Sequence, residues 1–145
     1  MENETQKKSG CLPGLLIILG IVLIAWFVCW WEAQPKQLLS RFLDVKWSEK
    51  MTRIESDYYG GFDMTTHIYL EADAETIRNI IEKGDFVLSA TEPISESISR
   101  LNFGDAPEAH AEPLIYYHRH FQNTVHEYLA VTPDGLRMWY TAVDY

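Results

Sequence analysis

The sequence predicts an α+β chain, with one N-terminal transmembrane helix followed by a small domain of antiparallel sheet covered by two helices. Three observations carry that prediction. Leu12 to Trp31 reads LPGLLIILGIVLIAWFVCWW, twenty residues without a charge. Beyond it, short runs in which apolar residues alternate with period two are interrupted by stretches of helical spacing. Thr132-Pro133-Asp134-Gly135 then marks a turn between two of the alternating runs.

The apolar run comes first, after an N-terminal tail of residues 1–11. At about 1.5 Å per residue, residues 12–31 form a helix of roughly 30 Å, the thickness of a bilayer's hydrocarbon core. The run ends in Trp30-Trp31-Glu32-Ala33-Gln34-Pro35, bulky where a signal peptidase needs small residues, so the span is expected to be retained. Ser9-Gly10-Cys11 resembles a lipoprotein box but precedes the apolar segment instead of following it. Pro13 suits the first helical turn, and Trp26, Trp30 and Trp31 suit the headgroup level at the far end. Gly14 and Gly20 lie six apart, so the helix carries no GxxxG pairing face. Its expected partner is therefore the lipid bilayer, contacted through Leu12 to Trp31. Lys7 and Lys8 flank the short tail, which favours a cytoplasmic N-terminus and a domain outside the cell membrane. The basic residues Lys36, Arg41, Lys46 and Lys50 pull the other way.

The tail is neutral, because Glu2 and Glu4 balance Lys7 and Lys8, so the net charge of −9 falls on residues 32–145. Such a domain is a poor partner for nucleic acid, and its acidity suits a solvated surface. Both cysteines, Cys11 and Cys29, lie beside or within the span. The domain therefore has no disulfide, thiolate nucleophile or cysteine metal site.

Residues 32–50 read as a juxtamembrane linker or helix. Pro35 opens it, and Leu38, Leu39, Phe42 and Leu43 repeat with helical spacing. Packing along the membrane and packing on the domain both satisfy that pattern. In the soluble α+β domain, residues 51–145, Met51–Tyr59 and Phe62–Glu71 read as strands joined by a Gly60-Gly61 hairpin turn. The second strand alternates as if buried on one side only. A helix follows, with Asp73 as N-cap, Glu75 in its first turn, Ile77, Ile80 and Ile81 on one stripe, and Lys83-Gly84 as its end. Phe86–Ala90 is a short strand, Thr91–Gly104 a second helix, and Asp105–Pro113 a loop.

Around the turn at Pro133-Gly135, setting Val131 opposite Leu136 pairs Leu129 with Met138, Glu127 with Tyr140 and Val125 with Ala142 on the core face. Tyr128 and Trp139, with His126 and Thr141, then lie outside. A two-residue turn at Gln122-Asn123 adds Leu114–Phe121 as a third strand. It places His118 against Glu127 on the core side and Tyr117 against Tyr128 outside. A loop one residue longer would reverse every side chain of that strand.

The candidates for chemistry follow from this layout. His118 and His120 share a strand face, and with His126, His110 or Glu127 they are candidate metal ligands, although no HExxH or fixed third-ligand spacing accompanies them. His118, Glu127 and Tyr140 are equally suited to a buried polar network. Arg119 suits an anion clamp, or a stack on an aromatic neighbour paired with an acid. Tyr117, Tyr128 and Trp139 are the candidate partner surface. No nucleotide-binding, serine-hydrolase or kinase motif occurs, and no catalytic residue or cofactor is indicated.

The segment Asp57-Tyr58-Tyr59-Gly60-Gly61-Phe62, the helix after it, and the end Trp139-Tyr140-Thr141-Ala142-Val143-Asp144-Tyr145 resemble small uncharacterised bacterial membrane-anchored or lipoprotein-like α+β proteins. The resemblance implies an anchored α+β domain and transfers no functional residue. Two functions fit these observations. One is a non-enzymatic, single-pass membrane protein whose acidic domain is an interaction or sensing module for an unidentified protein partner. The alternative is a small hydrolase or metal- or ligand-binding domain using His118, His120 and Glu127.

Overall fold

The computed structural model describes residues 12–59, 65–89, 107, 113–121 and 125–144. The chain divides into two units, Met1–Ala33 and Gln34–Tyr145. The first holds one helix, α1 (Leu12–Glu32), long and apolar enough to cross a membrane. Its described apolar side chains are exposed on every side, as a helix solvated by lipid requires. Near its end the Phe27 ring lies 6.0 Å from that of Trp30 and 6.3 Å from that of Trp31.

The second unit begins with α2 (Pro35–Leu43), and Pro35 occupies the first turn, where no amide is needed. Leu38, Leu39 and Leu43 are buried in the main core, so α2 packs on the domain. Strands β1 (Met51–Tyr59) and β2 (Thr65–Ala72) form an antiparallel pair. Next come α3 (Ala74–Lys83), the two-residue β3 (Val87–Leu88), and then β4 (Ile115–Phe121), β5 (Val125–Val131) and β6 (Arg137–Asp144). All six strands join one antiparallel sheet in the order β1-β2-β6-β5-β4-β3. The expected strand and helix boundaries at residues 60–64 and 90–104, and most of the loop to 113, lie outside the described residues.

Helix α3 follows its sequence signals. Asp73 Oδ1 accepts from the Thr76 amide at 2.7 Å, capping the helix start. Hydrogen bonds from Thr76 hold the Asp73 carboxyl below its ordinary value, with Lys50 adding to the effect. Ile77 and Ile80 are buried, and Gly84 ends the helix. Gly84 is needed there for space: a Cβ would come 2.6 Å from the Phe86 ring and 2.8 Å from the Ile80 carbonyl. The positive φ of 54° falls instead on Asp85.

The helices cover one face of the sheet, where Ile68, Leu70, Met138, Tyr140, Leu129 and Val131 meet α2, α3 and Phe86. The opposite face is covered as well. Tyr69, Ala130 and Trp139 are buried there with Leu114 and Tyr116 packed against them, and Trp139 Nε1 donates to the Pro107 carbonyl at 3.1 Å. Strand β2 is consequently buried on both faces, and not on one as its alternation suggests.

Two registers differ from expectation. Val131 pairs with Met138, Leu129 with Tyr140 and Glu127 with Ala142. Leu136 belongs to the turn, because the Thr132 amide donates to the Arg137 carbonyl at 3.1 Å and closes the loop outside it. Asp134 Oδ1 accepts from Thr132 Oγ1 at 2.5 Å and from the Leu136 amide at 3.0 Å. Those bonds hold its carboxyl low, while Gly135 takes φ 71°. The slip is two residues, so each side chain keeps its face. Between β4 and β5, Phe121 pairs with Val125, leaving a three-residue connection and a slip of one. The side chains from Ile115 to His120 are therefore on the face opposite to the one expected.

Candidate functional site

The one-residue slip places Arg119, and not His118, beside Glu127 on the helix-covered face. Glu127 is 3% exposed. Its Oε2 accepts from Arg119 Nε and its Oε1 accepts from the Tyr140 hydroxyl at 2.7 Å. The Arg119 guanidinium also donates through Nη1 to the Gly84 carbonyl at 2.7 Å and through Nη2 to the Phe42 carbonyl at 3.3 Å. It lies 4.5 Å from the centroid of the Phe86 ring. One side chain thus binds β4 to the ends of α2 and α3 and to β5. Its hydrogen bond to Glu127 raises the guanidinium above its ordinary pKa despite burial. Burial, helped by the Glu127 charge, pushes the Tyr140 phenol up, so it remains a donor. Of the roles open to Arg119 in the sequence, the structure realises the aromatic stack and the acid pair.

Beside this cluster is a hollow of about 390 Å³. Phe42 and Val125 supply apolar wall, Arg41, Lys83 and Arg119 supply positive charge, and Asp44 and Glu127 supply negative charge. Arg41 and Lys83 are exposed at α2 and at the last turn of α3. A concave, largely apolar space with a few charged groups is the form of a small-ligand site. Arg41, Phe42 and Lys83 carried no site signal in the sequence, because 36 or more positions separate each of them from Arg119, Val125 and Glu127, the strand residues they meet.

The other face holds the histidines. His118 lies opposite Tyr128, and His120 lies opposite His126. The His118 and His120 rings are 5.6 Å apart and the His120 and His126 rings 4.8 Å apart, inclined at 70° and 84°. His118 and His120 also line a second hollow, of about 360 Å³, with Asp85 and Val87. Further along the sheet His67 is buried, with Nδ1 2.9 Å from Thr141 Oγ1. Among the described residues, no group of three or more His, Cys, Asp or Glu side chains is placed to hold a metal ion.

The expected constellations are therefore rearranged. His118 and His120 stay together but are divided from Glu127 by the sheet, so the trio expected of a hydrolase does not assemble. Of the expected partner surface, Trp139 is 1% exposed and covered, its ring tilted at 50° to that of Tyr69 with centroids 5.1 Å apart. Tyr117 faces the main core, because the β4 slip turns it inward. Tyr128 alone stays half-exposed on the outer face. Trp26, Trp30 and Trp31 are exposed on α1. Comparison with protein-family models, curated proteins and solved structures produced no match.

Proposed function

We propose that this chain is a membrane-tethered, non-enzymatic interaction or sensing module whose recognition element is the hollow between α2, α3 and the sheet. The observation that carries this reading is the lining of that hollow. Its apolar wall sits beside the cations Arg41 and Lys83, on an Arg119–Glu127–Tyr140 base whose hydrogen bonds hold the elements in place. Such a lining fits a partner group bearing a carboxylate next to a short apolar stem. Tethering through α1 raises the local concentration at the membrane, so a weak contact suffices. Lys7 and Lys8 support a cytoplasmic N-terminus with the domain on the far side of the membrane.

Hexanoate is a minimal probe of the hollow. Added to the full chain in detergent micelles, it is expected to shift the amide signals of Arg41, Phe42 and Lys83 saturably. Arg41→Ala and Lys83→Ala, both at exposed positions, are expected to weaken that response. Shifts that do not saturate, or that survive both substitutions, overturn the reading. The orientation is tested separately by blocking Cys11 in a Cys29→Ser variant with an impermeant thiol reagent added from one side. Labelling from the outside reverses the assignment.

A further inference from the structure

We propose that β1 is an association edge, through which two copies of this chain held in one membrane pair antiparallel about Ile54. The argument is independent of the hollow between the helices and the sheet, and it begins with the sheet's two edges. Strand order puts β1 at one edge and β3 at the other. Strand β3 is two residues long. Strand β1 runs nine residues, carries no proline, and pairs with β2 without a break from Arg53 to Tyr59. An edge strand of that length presents amides and carbonyls as a template for one more strand. No described strand occupies that side of β1.

The side chains of β1 select a second copy as that strand. Residues directly opposite in an antiparallel pair share a face. A two-fold axis through Ile54 therefore sets Ile54 against Ile54 on the helix-covered face, where this side chain packs on the main core. On the other face it sets Arg53 of each copy against Glu55 of the second, which makes two opposite-charge pairs. Arg53 Nε also donates to Glu55 Oε1 of its own strand at 3.3 Å, and 35% and 36% of the two side chains remain exposed to meet their counterparts. Moving the axis to Arg53 or Glu55 sets that residue against itself, and moving it to Ser56 sets Glu55 against Asp57. Charge thus favours the register centred on Ile54.

Such an axis runs perpendicular to the sheet, so the α2-covered face of both copies lies on one side of the joined sheet, and the pairing closes at two copies. Because α1 is joined to each domain through α2, both anchors attach on that side, as a shared membrane requires. The contact is short, running from Thr52 to Ser56, with the register shift of β1 at its end. Each copy also has a net charge of −9, so encounter in free solution is disfavoured. A common membrane supplies the local concentration that makes so small a contact sufficient.

Disulfide trapping of the full chain in liposomes tests the proposal, with Cys11→Ser and Cys29→Ser removing the native thiols. Ile54→Cys puts one thiol of each copy beside the axis, where paired Cα atoms lie about 4.5–5.5 Å apart, and mild oxidation is expected to join them. Asp57→Cys, three positions from the axis, holds its two copies roughly 20 Å apart and is expected to stay unlinked. Adding Arg53→Glu to Ile54→Cys should lower the trapped fraction about fivefold or more, and adding Glu55→Arg to that variant should restore it. Sedimentation equilibrium of the parent chain in density-matched micelles needs no cysteine. It is expected to show a monomer–dimer equilibrium that Arg53→Glu shifts toward monomer. The proposal is overturned by equal trapping at positions 54 and 57, by trapping that Arg53→Glu leaves unchanged, by a charge-swapped variant that does not recover, or by a parent chain that stays monomeric as it is concentrated in the micelles.

Discussion

Strands β4 and β5 present two faces built from the same few residues, and the faces behave differently. On the helix side, Arg119 and Glu127 are enclosed, joined to each other, and tied to Tyr140 and two backbone carbonyls. On the other side, the His120 ring packs edge to face with those of His118 and His126, and His118 and His120 line a hollow. Polar groups that bind the domain together are shut in by their partners. Strand alternation alone thus sends residues one apart in the chain into two different environments.

The sharpest way to break that contrast is to remove the enclosed carboxylate. Glu127→Ala leaves the half-buried Arg119 charge and the Tyr140 hydroxyl without their acceptor, and should cost about 3–5 kcal/mol in urea unfolding of the full chain. A cost near that of a surface ion pair would show that the cluster is solvated. Trp139→Ala probes the outer face in the same assay. A loss of about 3–5 kcal/mol is expected for a covered indole, whereas a loss under about 1 kcal/mol would restore Trp139 to an open surface. Gly84→Ala is expected to cost about 1–3 kcal/mol, since its Cβ forces the Phe86 ring off its place under Arg119. The smallest effect belongs to the exposed caps. Asp73→Ala should lower the thermal midpoint by about 5 °C.

The pH dependence of those caps has a definite sign. Asp73 and Asp134 both titrate below the ordinary aspartate value of about 3.9 in the folded chain. As pH falls, the unfolded chain takes up these protons first. Their stabilisation is complete above that value and is lost as pH drops through the folded values. Acid unfolding of Asp73→Asn should consequently be less steep than that of the parent chain.

The parts legible in the sequence are those fixed by neighbours along the chain. The Asp73 cap, the stripe of Ile77 and Ile80 on α3, and the turn at Pro133-Gly135 all depend on residues within a few positions. Register depends on loop length, and the two registers fail in instructive ways. The β5–β6 slip is two, an even number, so Leu129, Met138 and Tyr140 still face the core. The β4–β5 slip is one, which exchanges His118 for Arg119 beside Glu127 and so rewrites the candidate site. Pairing of β2 with β6 lay beyond any local signal, because the partners are more than sixty residues apart. Burial of Trp139 was equally hidden, since its cover reaches it from Pro107.

That β2–β6 pairing has a consequence for the order of events during synthesis. Strand β6 lies between β2 and β5, yet it is made after every other described element. At about 5–20 residues per second, α1 leaves the ribosome several seconds before the strand that completes the middle of the sheet. Until β6 is made, β2 and then β5 each lack the neighbour that β6 becomes. The middle of the sheet therefore closes last, and a chain that stops before Arg137 leaves both β2 and β5 with an open edge.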